Sequence, residues 1–246
     1  MSAKPLPAYL TDRFRAWRTT RFAEDRAWYA RLAKAGQNPR TMLIACCDSR
    51  VDPIQLFAGE PGDFFVVRNV ANLVPPSNPD RRHHGTSAAV EFAVQQLGVA
   101  HIVVLGHSGC GGVSACYDMV CTEHGHDHEP VDPAAAQIVA DAPAARVDLD
   151  AGPAAEQGRI SYIGNWLQLL IPAARSLSAK RRNHAEALRE LEHQAVRTSL
   201  ANLMTFDFVA EAVTDGRLTL HGAWIDIADG QLKMLDPLQD RFVSVG

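Results

Sequence analysis

The chain has 246 residues, of which 47% are hydrophobic and 21% charged, enough for a sizeable core without disulfides or metals as staples. A formal net charge of -4 leaves no basic excess to neutralise phosphates, so nucleic acid is not an expected partner. No stretch nears the roughly 20 apolar residues of a membrane span, the charged first residues lack a signal peptide's apolar core, and five cysteines cannot all pair; a reduced, cytoplasmic chain is expected.

Residues 8–36 place Leu10, Phe14, Trp17, Phe22, Trp28, Tyr29 and Leu32 at roughly helical spacing, ended by Gly36 and Pro39. This predicts a helical arm over 1–36 whose aromatics need a surface to cover, on its own domain or on a second subunit. Thr41 to Asp48 is a short apolar run that reads as a buried parallel strand, as do 63–70 and 101–107. Between the last two lies an amphipathic helix over 85–98, with Gly98 placed to cap it. Alternation of strand and helix implies a parallel sheet covered by helices, and ligands of such sheets bind beyond the carboxyl ends of the strands. From 118 to 159 the pattern gives way to Ala, Pro, Asp and His, which reads as a surface insertion within a single domain spanning 1–246. Helical spacing returns at 160–172 and 184–213, and 217–236 reads as two strands about an Asp229–Gly230 turn. The expected fold class is α/β, with a mostly parallel central sheet flanked by helices and an N-terminal helical arm.

Two segments carry the chemistry: Cys46-Cys47-Asp48-Ser49-Arg50 at the end of the first strand, and Gly106 to Gly112 at the end of the third. Both fall where a strand gives way to its loop, so the sheet can bring them to one edge. Together they offer Cys46, His107 and Cys110, the nitrogen and sulfur donors that zinc prefers. Three protein ligands leave a fourth tetrahedral position open, which separates a catalytic zinc from a structural one. Two thiolates cancel the 2+ charge and weaken the Lewis acid, so neighbouring groups must help. If the strand continued through Arg50, Asp48 and Arg50 would share one face, and Asp48 would stay ionised to accept a hydrogen bond from water on the metal. On these residues alone two other readings stay open: three unrelated core side chains, or a structural zinc closed by Asp48.

Cys-x-Asp-Ser-Arg followed by His-x-x-Cys-Gly-Gly resembles the signature of the β-class carbonic anhydrases. Arg68-Asn69-Val70-Ala71-Asn72, Gly85 to Glu91 and His221-Gly222 resemble further segments of that family, with coverage over about 37–117 and 160–235. The resemblance implies one zinc per chain on Cys46, His107 and Cys110, a catalytic dyad of Asp48 and Arg50, and substrate contacts from Gln37 and Gly111. It implies reversible hydration of carbon dioxide to bicarbonate and a proton, by attack of zinc-bound hydroxide. It also implies a homodimer or a multiple of dimers, with the arm wrapping the partner.

The sequence departs from the family in places. The insertion carries His124, His126 and His128 among acidic residues, read as a solvated loop rather than a metal site. His83 and His84, titratable candidates for the proton's exit, are read instead as solvated loop residues, and Cys47 is assigned to packing. Some members of the family resemble one another in a second, non-catalytic bicarbonate site of Trp, Arg and Tyr. Arg68 matches that Arg, but Leu43 and Ile225 stand at the other two positions, which implies no such effector site. Two competing functions use the same residues: a zinc hydrolase acting on carbon disulfide or carbonyl sulfide, and a non-catalytic zinc protein, which the presence of both dyad residues disfavours.

Overall fold

The computed structural model describes residues 3–78, 84–123, 162–179 and 183–245. The predicted arm is three helices, α1 (Ala8–Thr19), α2 (Arg21–Glu24) and α3 (Arg26–Ala35), none with a buried residue. The break at Thr20, where φ is -110° and ψ -97°, folds the aromatics onto one another: Trp17 lies 5.2 Å from Phe22, and Phe22 5.2 Å from Tyr29. Arg21 reaches Glu60 at 3.0 Å and Trp28 donates to the Pro61 carbonyl at 3.2 Å, tying the arm to the approach of the second strand.

Six strands follow: β1 (Thr41–Cys46), β2 (Phe64–Asn69), β3 (His101–His107), β4 (Thr219–Ile225), β5 (Leu232–Asp236) and β6 (Arg241–Ser244). They lie in the order β2-β1-β3-β4-β5-β6, the first four parallel and the last two added antiparallel. This is the expected α/β sheet with an antiparallel edge. The turn at Asp229–Gly230 joins β4 to β5, with Gly230 at φ 70°. β6 went unpredicted because Arg241-Phe242-Val243-Ser244 is too short and too polar at its ends to show a period.

Helix α4 (Pro53–Leu56) was also unpredicted; Asp52 caps it by accepting the Ile54 N–H at 2.9 Å, and Pro53 takes its first turn. The remaining helices are α5 (Gly85–Glu91), α6 (Gly111–Glu123), α7 (Tyr162–Leu167), α8 (Ile171–Ser178), α9 (His184–Leu203) and α10 (Asp207–Thr214). Asn183 caps α9 through the Ala185 N–H at 2.9 Å. Because α6 runs to Glu123, residues 118–123 of the expected insertion are helical. The rest of it, with His124, His126 and His128, lies outside the described residues, as does His83.

Met42, Ile44, Ile102 and Val104 on one sheet face pack against Val90 of α5, Ala93 of the π-helical turn that follows it (Phe92–Gln96), Val196 and Leu203 of α9, and Val209 of α10. Each such buried aliphatic side chain contributes about 1.5–3 kcal/mol relative to exposure. A second cluster at the carboxyl edge gathers Cys46, Cys110, Val113, Tyr117, Leu167, Ile171 and Leu191. The opposite sheet face carries Ala45, Leu105, Ala223 and Ile225, packed with Val51 and partly buried Leu56 and Phe57. Among the described residues no helix is long and apolar enough to cross a membrane.

Candidate metal centre

The parallel register sets Ala45 opposite Leu105, so Cys46 and His107 emerge side by side at the carboxyl edge of the sheet. A left-handed turn at Gly109, φ 64°, then brings Cys110 back over the strand ends before α6 begins. The ligand atoms of Cys46, His107 and Cys110 lie within 4.8 Å of one another, and all three residues are buried. The two sulfurs are 3.9 Å apart and unbonded. His107 Nδ1 is 2.9 Å from the Ser108 carbonyl, which fixes the proton on that nitrogen and leaves Nε2 as the bare acceptor. Nε2 is buried with no hydrogen-bond partner. An orphaned imidazole nitrogen facing two thiols is costly as an apolar pocket and complete as a cation site. The donor set suits one zinc ion.

Supporting contacts hold these atoms. Cys46 Sγ accepts the Ala71 N–H at 3.4 Å, and Ala71 sits at φ 61° to aim it. The contact with Cys110 leads the influences that hold the Cys46 thiol well below the ordinary thiol range, against desolvation, and the same contact raises Cys110. A metal ion held here would take both sulfurs as thiolates.

Asp48 and Arg50 form the pair expected of them, by a different route. The strand stops at Cys46 and the chain turns, so they do not share a strand face. Instead Asp48 Oδ1 accepts both the backbone N–H and Nε of Arg50 at 2.9 Å, and Oδ2 accepts Nη2 at 2.7 Å. Those Arg50 hydrogen bonds outweigh desolvation and lower Asp48 to about 2. Asp48 Oδ2 lies 3.9 Å from His107 Nε2, at the mouth of the cluster. Arg68 steadies the connecting loop, donating to the carbonyls of Cys46, Asp48 and Val51 at 2.9, 2.7 and 2.7 Å.

Gly111 is exposed beside Cys110, and a side chain there would meet open space. Gln37 is exposed at the amino end of β1, whereas Cys46 ends that strand about 17 Å further on; the two are not brought together within one chain. Cys47, expected to pack, is exposed, because β1 has already ended and its N–H donates to Asn69. Sequence reasoning missed Ser108, Ala71 and Glu192. Ala71 stood in a segment that resembles the family's, and Glu192 left a signal of its own, a carboxylate on the apolar stripe of a helix. It accepts the Cys110 N–H at 3.2 Å and the Trp224 indole N–H at 3.1 Å; burial raises it, opposed by those same donors.

Fold and donors together define a class: an α/β protein with an imidazole and two thiols poised for a metal beyond the carboxyl ends of parallel strands, and a held carboxylate at its mouth. The family model for carbonic anhydrases matches residues 41–154 and 141–232. A carbonic anhydrase of Pseudomonas aeruginosa is 37% identical over 211 residues, 85% of this chain and 79% of the relative. Beta carbonic anhydrase 3 of Arabidopsis thaliana is 29% identical over 219 residues, 88% of this chain and 72% of that one. The chain belongs to the carbonic anhydrase family, in its β class. Among solved structures, the β-carbonic anhydrase CcaA shares the fold with a TM-score of 0.76 at 24% identity, covering 97% of this chain and 91% of that one. One of two tetrameric β-carbonic anhydrases from Sordaria macrospora gives 0.66 at 26% identity, covering 97% and 98%.

Proposed function

We propose that this chain catalyses the reversible hydration of carbon dioxide to bicarbonate and a proton, with one zinc held by Cys46, His107 and Cys110. The observation that carries the reading is the orphaned Nε2 of His107 beside two thiols, with the Asp48 carboxylate 3.9 Å away. Zinc in such a site supplies a water acidified enough to act as nucleophile near neutral pH. Asp48, ionised and acceptor-only, would accept a hydrogen bond from the O–H of the nucleophile at the mouth, orienting that oxygen so that a lone pair faces the carbon of carbon dioxide. Arg50 holds both carboxylate oxygens, so Asp48 cannot swing inward to the cluster without breaking two hydrogen bonds between their side chains. Gly111 leaves room for a small substrate.

The working unit we propose is a homodimer or a multiple of dimers, in the cytoplasm, each chain a single domain with its arm on the partner. The uncovered aromatics of α1 to α3 support this, as do the tetramers of Sordaria macrospora. A substrate role for Gln37 is then exercised in the centre of a second copy, since its own lies at the far end of β1.

Stopped-flow hydration assays with metal analysis on the same sample test the reading. About one zinc per chain is expected, with Cys46→Ser, His107→Ala and Cys110→Ser each losing metal and turnover together. Full hydration activity in Cys110→Ser would refute it.

A further inference from the structure

Glu192 lies on the core stripe of α9, only 5% exposed, the one buried carboxylate among the described residues. Burial of this kind is costly unless both oxygens meet donors. Both do, and the donors come from different walls of the centre: the Cys110 N–H from the β3–α6 loop and the Trp224 indole from β4. Only a carboxylate accepts twice in this place. A glutamine would accept once and turn its amide N–H against a second donor.

The helix reaches this depth because the strands beneath it carry no side chain where it crosses. A Cβ at Gly106 would come within 2.8 Å of Val196 Cγ2, and one at Gly222 within 3.0 Å of Val196 Cγ1. Glu192 stands one turn before Val196 on the same face of α9. The two bare positions thus set the height at which the carboxylate meets the ligand loop.

The contact falls on one peptide unit gripped at both ends. The Gly109 carbonyl accepts Arg50 Nη2 at 2.8 Å, and the N–H of the same peptide, belonging to Cys110, goes to Glu192. Arg50 holds Asp48 with its other donors. A continuous run of hydrogen bonds therefore passes from Asp48 through Arg50 and the Gly109–Cys110 peptide to Glu192 and Trp224.

We infer that Glu192 is a positioning residue of the metal centre, fixing Cys110 for the metal through its main-chain N–H. This rests on the zinc-centre reading above. The test uses the full chain loaded with zinc, measuring zinc affinity by competition with a chromogenic chelator. Cobalt(II) put in place of zinc gives a thiolate-to-metal absorption band as a second readout. Glu192→Gln weakens zinc binding by about 10–100-fold and shifts the cobalt band. Trp224→Phe, which removes only the other donor, stays within about two-fold of the parent, far inside the range lost with a metal support. Glu192→Asp keeps the charge but stops one methylene short of Cys110; it carries the same expectation and serves where Glu192→Gln does not fold. Parent-like affinity and an unshifted band in the Glu192 variants, or equal weakening in Trp224→Phe, would overturn the inference and leave Glu192 a packing residue. A parent chain that takes up no zinc would instead overturn the zinc-centre reading itself.

Discussion

His193 on α9 offers a titration that can be isolated from the metal. Its ring stacks on Phe242 of β6 at 4.2 Å and meets Trp224 edge-on at 5.1 Å. Its side chain is only 14% exposed, and Nε2 has no partner. Desolvation is the main cause that lowers it from 6.5 to about 4, with the charges of Arg197, Lys233 and Arg189 acting the same way and Glu190 opposing. The folded chain therefore keeps this ring neutral, while the unfolded chain protonates it near pH 6.5. Stability from the neutral ring is present above that value and is lost as pH falls from 6.5 through about 4. At about 1.4 kcal/mol per pH unit the full effect is about 3 kcal/mol, most of it between pH 7 and about 4.5. His193→Phe keeps an aromatic ring in the slot and removes the proton. Urea unfolding of both chains, each with chelator present to equalise their metal state, should show the parent losing roughly 2–3 kcal/mol more than the variant across that window. Parallel pH profiles for the two chains would refute the reasoning.

Asp48→Asn should retain zinc and lose about 10–100-fold in hydration, since the carboxylate acts from the mouth of the cluster; near-parent turnover would remove Asp48 from the mechanism. Because Arg50 holds Asp48 at about 2, an acid limb of activity above about pH 4 must arise elsewhere and should persist unchanged in shape in the residual activity of that variant. Bicarbonate should inhibit without cooperativity: Leu43 and Ile225 are buried apolar residues, and Arg68 is engaged with three carbonyls. A steep sigmoidal inhibition curve would contradict this. Replacing residues 124–150 by a short Gly/Ser linker should leave hydration within about three-fold, the cut starting beyond Cys121 because that side chain closes the core; a folded, zinc-loaded but inactive variant would give the His-rich segment a role.

The parallel strands were legible because a buried strand is a short apolar run, and 41–48, 63–70 and 101–107 are such runs. The donor trio was legible because both of its segments follow predicted strands. What escaped depended on backbone conformation. Nothing in the composition says that Ala71 adopts φ 61° to aim its N–H at a sulfur, or that Asp48 and Arg50 pair across a turn rather than along a strand. The exposure of Cys47 escaped for the same reason, since strand ends are set by tertiary contacts. Glu192 was visible as a misfit on an apolar helix stripe, but its partners, 82 and 32 residues away, appear only once α9 is laid across β3 and β4.

The separation of Cys46 from Cys110 by 64 residues has a consequence for how the centre comes into being. Parallel neighbours cannot close as a hairpin and must wait for a crossover, here the stretch holding β2 and α5. An ion meeting the unfolded chain finds His107 and Cys110 three residues apart, but no second sulfur aligned with them. Cys46 joins only when β3 settles beside β1, a non-local event of the slow kind. A slip of β1 by one residue would turn Cys46 to the opposite face and leave two ligands facing nothing. Metal thus cannot seed this sheet; it can only seal one that has already found its register, and uptake becomes a readout of correct folding.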